Sequence, residues 1–190
     1  MFNDLVKRNR SYRRFDEKQA ITKPQIVSWV DLARYSASGS NLQPLKYIVS
    51  VDEATNAAIY PSLSWAGYIK EWSGPQPGER PTGYIVILGD TTISKNFGVD
   101  HGIAAQTILL KATEDGFGGC MIASIKRDAL RAALQLDERY EILLVLALGK
   151  PVETVKMIPV PEDGSIKYFR DQDGTHFVPK RDLKEVLLNK

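Results

Sequence analysis

The stretch "DHGIAAQTILLKATEDGFGGCMIAS", residues 100–124, decides the fold. Ile103, Ala104, Ile108, Leu109, Leu110 and Ala112 put apolar or small side chains round most of the circumference of Asp100–Gly116, which predicts a helix buried on more than one side. Such a helix needs neighbours to cover it. Gly116 can end it, "CMIAS" at 120–124 predicts a short strand, and Leu130, Ala133 and Leu134 mark an amphipathic helix over 127–136. "YEILLVLALG", residues 140–149, then reads as a long apolar strand covered on both faces. An interior strand among helices implies an α+β sandwich.

Working outward, "GYIVILG" at 83–89 and Tyr47–Val51 read as two further strands, rich in β-branched and aromatic residues. Thr22 and Gln25 have the spacing of a capping box, and Ile26, Val27, Val30 and Ala33 carry that helix to about Tyr35, where the polar loop "SASGSNLQP" ends it. Phe2, Leu5 and Val6 give a first helix over residues 2–8. Beyond Pro151 the chain turns polar and is punctuated by Pro and Gly, so 1–190 is expected to be a single domain with 151–190 as an extended C-terminal arm.

Composition narrows the function classes. With 43% hydrophobic and 25% charged residues over 190 positions, the chain can bury one good core. Lys and Arg number 25 against 23 Asp and Glu, so the whole-chain field is too weak for long-range attraction to nucleic acid or a membrane. The apolar run Ile142–Leu148 is too short to span a bilayer, and one cysteine, Cys120, fits a reducing compartment; the chain reads as cytoplasmic. His101, His176 and Cys120 stand in no metal-ligand spacing, so no metal is expected. Neither a Rossmann fingerprint nor a P-loop occurs. Cys120 sits in an expected buried strand with no neighbouring base in sequence, which favours packing over thiol catalysis.

One local feature stands out against this balance. "KRNRSYRRF", residues 7–15, holds five cationic side chains in nine positions. On composition alone a solvated basic stretch accounts for it, whereas Arg10, Ser11 and Arg13 together would suit a phosphate dianion, with two guanidinium forks and a hydroxyl. The loop at 36–44 is likewise rich in turn formers, which is all that a surface turn requires.

"RSYRRF", "SASGSNLQPLKYIV", "GIAAQTILLKATEDGFGGCMIAS" and "LALGKP" follow one another in an order and spacing that resembles the nitroreductase family of FMN-dependent flavoproteins. The resemblance implies a three-layer α/β/α sandwich with a mixed, mainly antiparallel sheet, and a homodimer with FMN at the subunit interface. It implies that Arg10, Ser11 and Arg13 hold phosphate and ribityl oxygens, and that Ser38, Gly39, Ser40, Asn41 and Gln43 edge the flavin, with Pro44 steering the chain into the next strand. Met121, Ile122, Ala123 and Ser124 would lie against the ring, and Lys180 and Arg181 would close the phosphate site. Trp65, Tyr68 and Trp72, beside a Gly- and Pro-rich loop, have the side chains either to wall the substrate pocket or to serve packing.

The activity implied is the use of NADH or NADPH to reduce a nitroaromatic, quinone or other conjugated acceptor through the flavin, with no side-chain acid or base required. Reductive dehalogenation or flavin reduction on the same fold is the alternative, to be separated by acceptor profiling. A nucleic-acid-binding module built on residues 7–15 is disfavoured by the near-zero net charge.

Overall fold

The computed structural model describes residues 1–188. Helices α1 (Phe2–Arg8) and α2 (Lys23–Ala33) precede strand β1 (Leu45–Ser50), helix α3 (Glu53–Ile59) and strand β2 (Gly83–Asp90). Then follow α4 (Asp100–Glu114), β3 (Gly118–Ile122), α5 (Arg127–Leu134) and β4 (Tyr140–Gly149). The chain ends in β5 (Val155–Pro159), β6 (Phe169–Arg170), β7 (His176–Lys180) and α6 (Leu183–Val186). Contacts divide these elements into two compact units, residues 1–65 with 74–152, and residues 66–73 with 153–190.

In the first unit four strands run in the order β1-β2-β4-β3, every pairing antiparallel. Being interior strands, β2 and β4 must be apolar on both faces. Every residue of β2 is buried, and β4 is buried without a break from Leu144 to Leu148. Alternation along the strands sends Ile85, Ile87, Leu144, Leu146 and Leu148 toward α2 and α4, where Ile26, Trp29, Ala33, Ile108, Leu109 and Ala112 meet them. The alternate residues Tyr84, Val86 and Leu88 face the layer of α3 and α5. The result is an α/β/α sandwich. Two local devices set its helices in place: the capping box of Thr22 and Gln25 starts α2, and Trp29 at its middle donates from Nε1 to Asp115, 2.8 Å away, just past the end of α4.

Several boundaries differ from the sequence reading. The strand expected at 120–124 lies at 118–122, because Gly118 and Gly119 pair with Gly149 and Leu148 and so extend the ladder backwards, leaving Ala123 and Ser124 beyond its end. Helix α4 is covered on the sheet side through Ala104, Ala105, Ile108, Leu109, Ala112 and Thr113, but Ile103 is exposed and Leu110 half-buried in the single chain. Helix α3 escaped notice: seven residues are too few to show a period, although Asp52 caps it by accepting from the Thr55 N–H at 2.8 Å.

The second unit is small and built differently. Strands β5, β7 and β6 form a sheet in that order, β5 parallel and β6 antiparallel to β7. Instead of a large apolar core it buries charge: Glu153 is paired with Arg170 at 2.9 Å, Arg170 lies 4.2 Å over the ring of Trp72, and His176, fully buried, stacks on Tyr168. Of the segment 151–190, expected as an extended arm, the described residues 151–188 contain three strands and a short helix.

Candidate functional site

The basic segment is placed by aromatic side chains. Tyr12 seats over Gly118, where a Cβ would come within 2.7 Å of its ring, and Phe15 seats over Gly149, where a Cβ would also come within 2.7 Å of the ring. Only glycine leaves this room. Just before the first anchor Ser11 forms a parallel bridge with Gly119, and the Tyr12 N–H donates to the Gly119 carbonyl at 3.0 Å. Residues 10–13 therefore lie along the outer edge of β3, adding one parallel bridge to a sheet whose strand pairings are all antiparallel, where a mixed sheet was expected.

That docking sorts the five cations. Arg14 is occupied by a two-pronged ion pair with Glu79, its Nε 2.8 Å from one carboxylate oxygen and its Nη2 bonded to the other. Arg10 and Arg13 are half-buried; the Arg10 Nη2 donates to the Val6 carbonyl at 2.8 Å and the Arg13 Nη1 to the Ser11 carbonyl at 3.3 Å. Two guanidinium groups and the exposed Ser11 hydroxyl thus share one short segment, a donor set that fits a phosphate group.

The loop before β1 is held in an unusual shape. Ser40, Asn41 and Gln43 have φ of 49°, 55° and 51°, three non-glycine residues in the left-handed region within four positions. Each costs on the order of 1 kcal/mol or more relative to an ordinary conformation. What holds them is Asp100, buried in the first turn of α4: its carboxylate accepts from the Ser38 hydroxyl at 2.6 Å and from the Gly39 N–H at 3.0 Å. The Ser38 Oγ in turn accepts from the Gln43 N–H at 2.9 Å, which closes the loop on itself. Gly39, Ser40, Asn41 and Gln43 are left exposed. Beneath them is a cavity of about 180 Å³ lined by Ser38, Gln43, Tyr47 and Asp100, and burial, then the charge of Asp100, raises the pKa of the Tyr47 phenol so that it stays neutral.

Of the remaining candidates, Met121 is half-buried on β3, Ile122 is buried, and Ala123 and Ser124 are exposed just past its end. Met121 and Ile122 thus belong to the edge strand along which the Arg10–Arg13 segment runs, and Ala123 and Ser124 follow it directly. The loop at 38–43 does not join them. It leads into β1, at the other edge of the sheet, and sits at the N-terminal end of α4, whereas β3 starts beyond the C-terminal end of that 15-residue helix. At 1.5 Å per residue the helix alone spans roughly 22 Å. Trp65 is buried against Tyr60, ring centroids 5.8 Å apart, while Tyr68 and Trp72 belong to the second unit, packed on Tyr168 and Arg170. Lys180 and Arg181 also belong to that unit; Lys180 is exposed and Arg181 donates to Glu185 at 3.2 Å.

Sequence reasoning missed two site residues. In sequence Asp100 reads only as the start of a helix; an acidic residue at that position is ordinary, and nothing local shows that its charge is spent on a distant loop. Glu79 lies in a Gly- and Pro-rich stretch 65 positions from Arg14, and no spacing rule links them.

A family model described as "Nitroreductase family" matches residues 6–150, well over half of the chain. The chain belongs to the nitroreductase family. A curated relative from Bacillus subtilis strain 168, provisionally named an NAD(P)H nitroreductase, YodC, is 22% identical over 180 residues, 79% of this chain and 89% of the relative. The nitroreductase family protein of Streptococcus pneumoniae TIGR4 superposes with a TM-score of 0.67 at 16% identity, covering 86% of this chain and 97% of that one. An FMN-dependent nitroreductase of Clostridium difficile R20291 superposes with a TM-score of 0.62 at 20% identity, covering 78% of this chain and 86% of that one. At such identities the structural likeness establishes the nitroreductase fold. The four motifs quoted above lie wholly or almost wholly within the matched residues.

Cys120 fits the packing role. It is 3% exposed, and its Sγ lies 3.5 Å from the Met121 carbonyl. The Cys120→Ser variant is expected to lose about 1 kcal/mol of stability with turnover within about twofold of wild type, as serine is close in size but costs more to bury. Melting curves and steady-state rates on the flavin-loaded variant check this; an abolished rate with flavin retained would give the thiol a part in the reaction.

Proposed function

We propose that the protein is an FMN-dependent oxidoreductase that draws electrons from NADH or NADPH and passes them, in a ping-pong cycle, to a nitroaromatic, quinone or other conjugated acceptor. FMN, when bound, would supply the redox chemistry of hydride and electron transfer. The protein's part is to hold and orient it. Arg10, Ser11 and Arg13 would take the phosphate and ribityl oxygens. Asn41, exposed on its left-handed loop, offers an amide that both donates and accepts at the edge of the ring. The chain at Met121–Ser124 would line the ring, its backbone N–H groups available to the developing negative charge.

The observation that carries this reading is the loop at 38–43. A surface turn does not require three left-handed non-glycine residues anchored on a buried carboxylate, whereas a loop that must present fixed groups to a ligand does. The same placement supports a homodimer. Loop and phosphate segment lie at opposite sheet edges and opposite ends of α4, so a second copy could bring its loop to this chain's Arg10–Arg13 segment. Val99, Ile103, Tyr35 and Leu42, all exposed in the single chain around the start of α4 and the loop, provide apolar surface for that contact.

An absorption spectrum of the protein as purified, followed by anaerobic addition of NADH and then NADPH, tests the proposal. Flavin bands that bleach on addition are expected, and the faster donor is thereby named. A colourless protein that also fails to take up added FMN would overturn the reading.

A further inference from the structure

On the α3 side of the sheet is a cleft of about 540 Å³, lined by none of the candidate flavin residues. Its volume is in the range of small-molecule sites. Tyr84 of β2 lines it; the residue is 1% exposed, yet among the described residues its hydroxyl has no hydrogen-bond partner and so remains open to the cleft. Burial is the main cause that pushes the pKa of this phenol far above its ordinary value, so it is a neutral donor at any physiological pH.

The second convergent group is Arg80. Its guanidinium lies 4.5 Å over the Tyr60 ring, its Nε is buried with no hydrogen-bond acceptor, and among the described residues no carboxylate comes within ion-pair distance of it. The neighbouring polar groups are already committed. Glu17 accepts from the Gly78 N–H at 2.7 Å and the Arg80 N–H at 2.9 Å, which fixes the backbone that carries Arg80. Asn56 donates to the Thr82 carbonyl and accepts from Ser50. Glu53, in the first turn of α3, is exposed and solvated. What the cleft still offers is one cation, one neutral hydroxyl and the apolar surfaces of Val51, Ala57 and Pro81.

We infer that this cleft is a second ligand site, separate from the flavin, and that it takes a small planar aromatic carboxylate. The carboxylate would accept from the Arg80 guanidinium and the Tyr84 hydroxyl, and the ring would occupy the apolar part. Unpartnered polar atoms such as the Arg80 Nε and the Tyr84 hydroxyl are costly to keep unless a ligand or solvent meets them, and two donors lining one cleft specify an anion better than either alone.

Calorimetric titration of the protein as purified with benzoate, and with benzamide as the uncharged isostere, tests this, with the flavin absorption bands followed in parallel. Benzoate is expected to bind at least tenfold more tightly than benzamide, without moving the flavin bands. Arg80→Gln should weaken benzoate roughly 10–100-fold and Tyr84→Phe several-fold. Both variants keep the Glu17 contact, which is to the Arg80 backbone, and Tyr84→Phe preserves the packed ring, so it decides the matter if Arg80→Gln melts early. Absence of binding at millimolar benzoate, equal binding of benzamide, indifference to both substitutions, or flavin bands that shift in step with the heat would each overturn the inference. Because heat is the readout, a protein without flavin still gives a decisive result.

Discussion

Asp100→Ala is expected to give a folded protein that loses FMN. The carboxylate makes two hydrogen bonds into the loop, to the Ser38 hydroxyl and the Gly39 N–H, and through Ser38 it also fixes the Gln43 N–H. Hydrogen bonds to a charged group are worth about 1.5–3 kcal/mol each. Without them only the loop's own bonds, such as Asn41 N–H to the Ser38 carbonyl and Gln43 N–H to the Ser38 hydroxyl, offset the left-handed conformations of Ser40, Asn41 and Gln43, and the loop relaxes to other shapes. On the reading of this loop as the flavin edge, the FMN Kd rises about 100-fold, or roughly 2.7 kcal/mol. Asp100→Asn keeps an acceptor but only one oxygen, so an intermediate loss of about tenfold is expected. Fluorescence titration of the apoprotein with FMN measures both, and circular dichroism confirms the fold. An Asp100→Ala protein that binds FMN as wild type does would mean that the loop's shape is not what the flavin reads.

The sandwich was legible because its evidence is periodic. The β4 stretch "YEILLVLALG" is apolar without interruption and α4 is apolar on adjacent faces, so interior strand and covering helix followed from hydrophobic pattern alone. Where pattern was absent, structure was missed. Strands β5, β6 and β7 are short and half-exposed, and their unit is held by Glu153, Arg170, His176 and stacked rings, none of which produces a period.

The candidate site divides in the same way. Arg10, Ser11 and Arg13 form a contiguous motif, and their docking depends on Tyr12 and Phe15 from the same few residues, so one line of sequence holds most of the story. The latch between Asp100 and Ser38 joins residues 62 positions apart, and the ion pair of Arg14 with Glu79 joins residues 65 apart. Contacts of that kind are set by topology, and a single sequence carries no local trace of them.

The double variant Arg10→Ala, Arg13→Ala is expected to have the largest effect on cofactor binding, and riboflavin makes the result specific. Each guanidinium that meets a phosphate contributes about 1.5–3 kcal/mol, so losing both should weaken FMN roughly 10²–10⁴-fold. Fold loss does not explain such a change. The Arg10 and Arg13 guanidinium groups donate to the nearby Val6 and Ser11 carbonyls, α1 has no buried residue, and Tyr12 and Phe15 still anchor the segment on Gly118 and Gly149. Riboflavin has the same ring without the phosphate. Wild type should therefore prefer FMN to riboflavin by a wide margin, and the double variant should bind the two almost equally, with riboflavin affinity changed by less than about threefold. That cycle isolates the interaction between the two arginines and the phosphate from any general damage, which would weaken both ligands together. Falling FMN affinity with rising salt, steep in wild type and shallow in the variant, is the companion signature. If the preference for FMN survives in the double variant, the phosphate is held elsewhere, and the basic segment returns to being a solvated stretch.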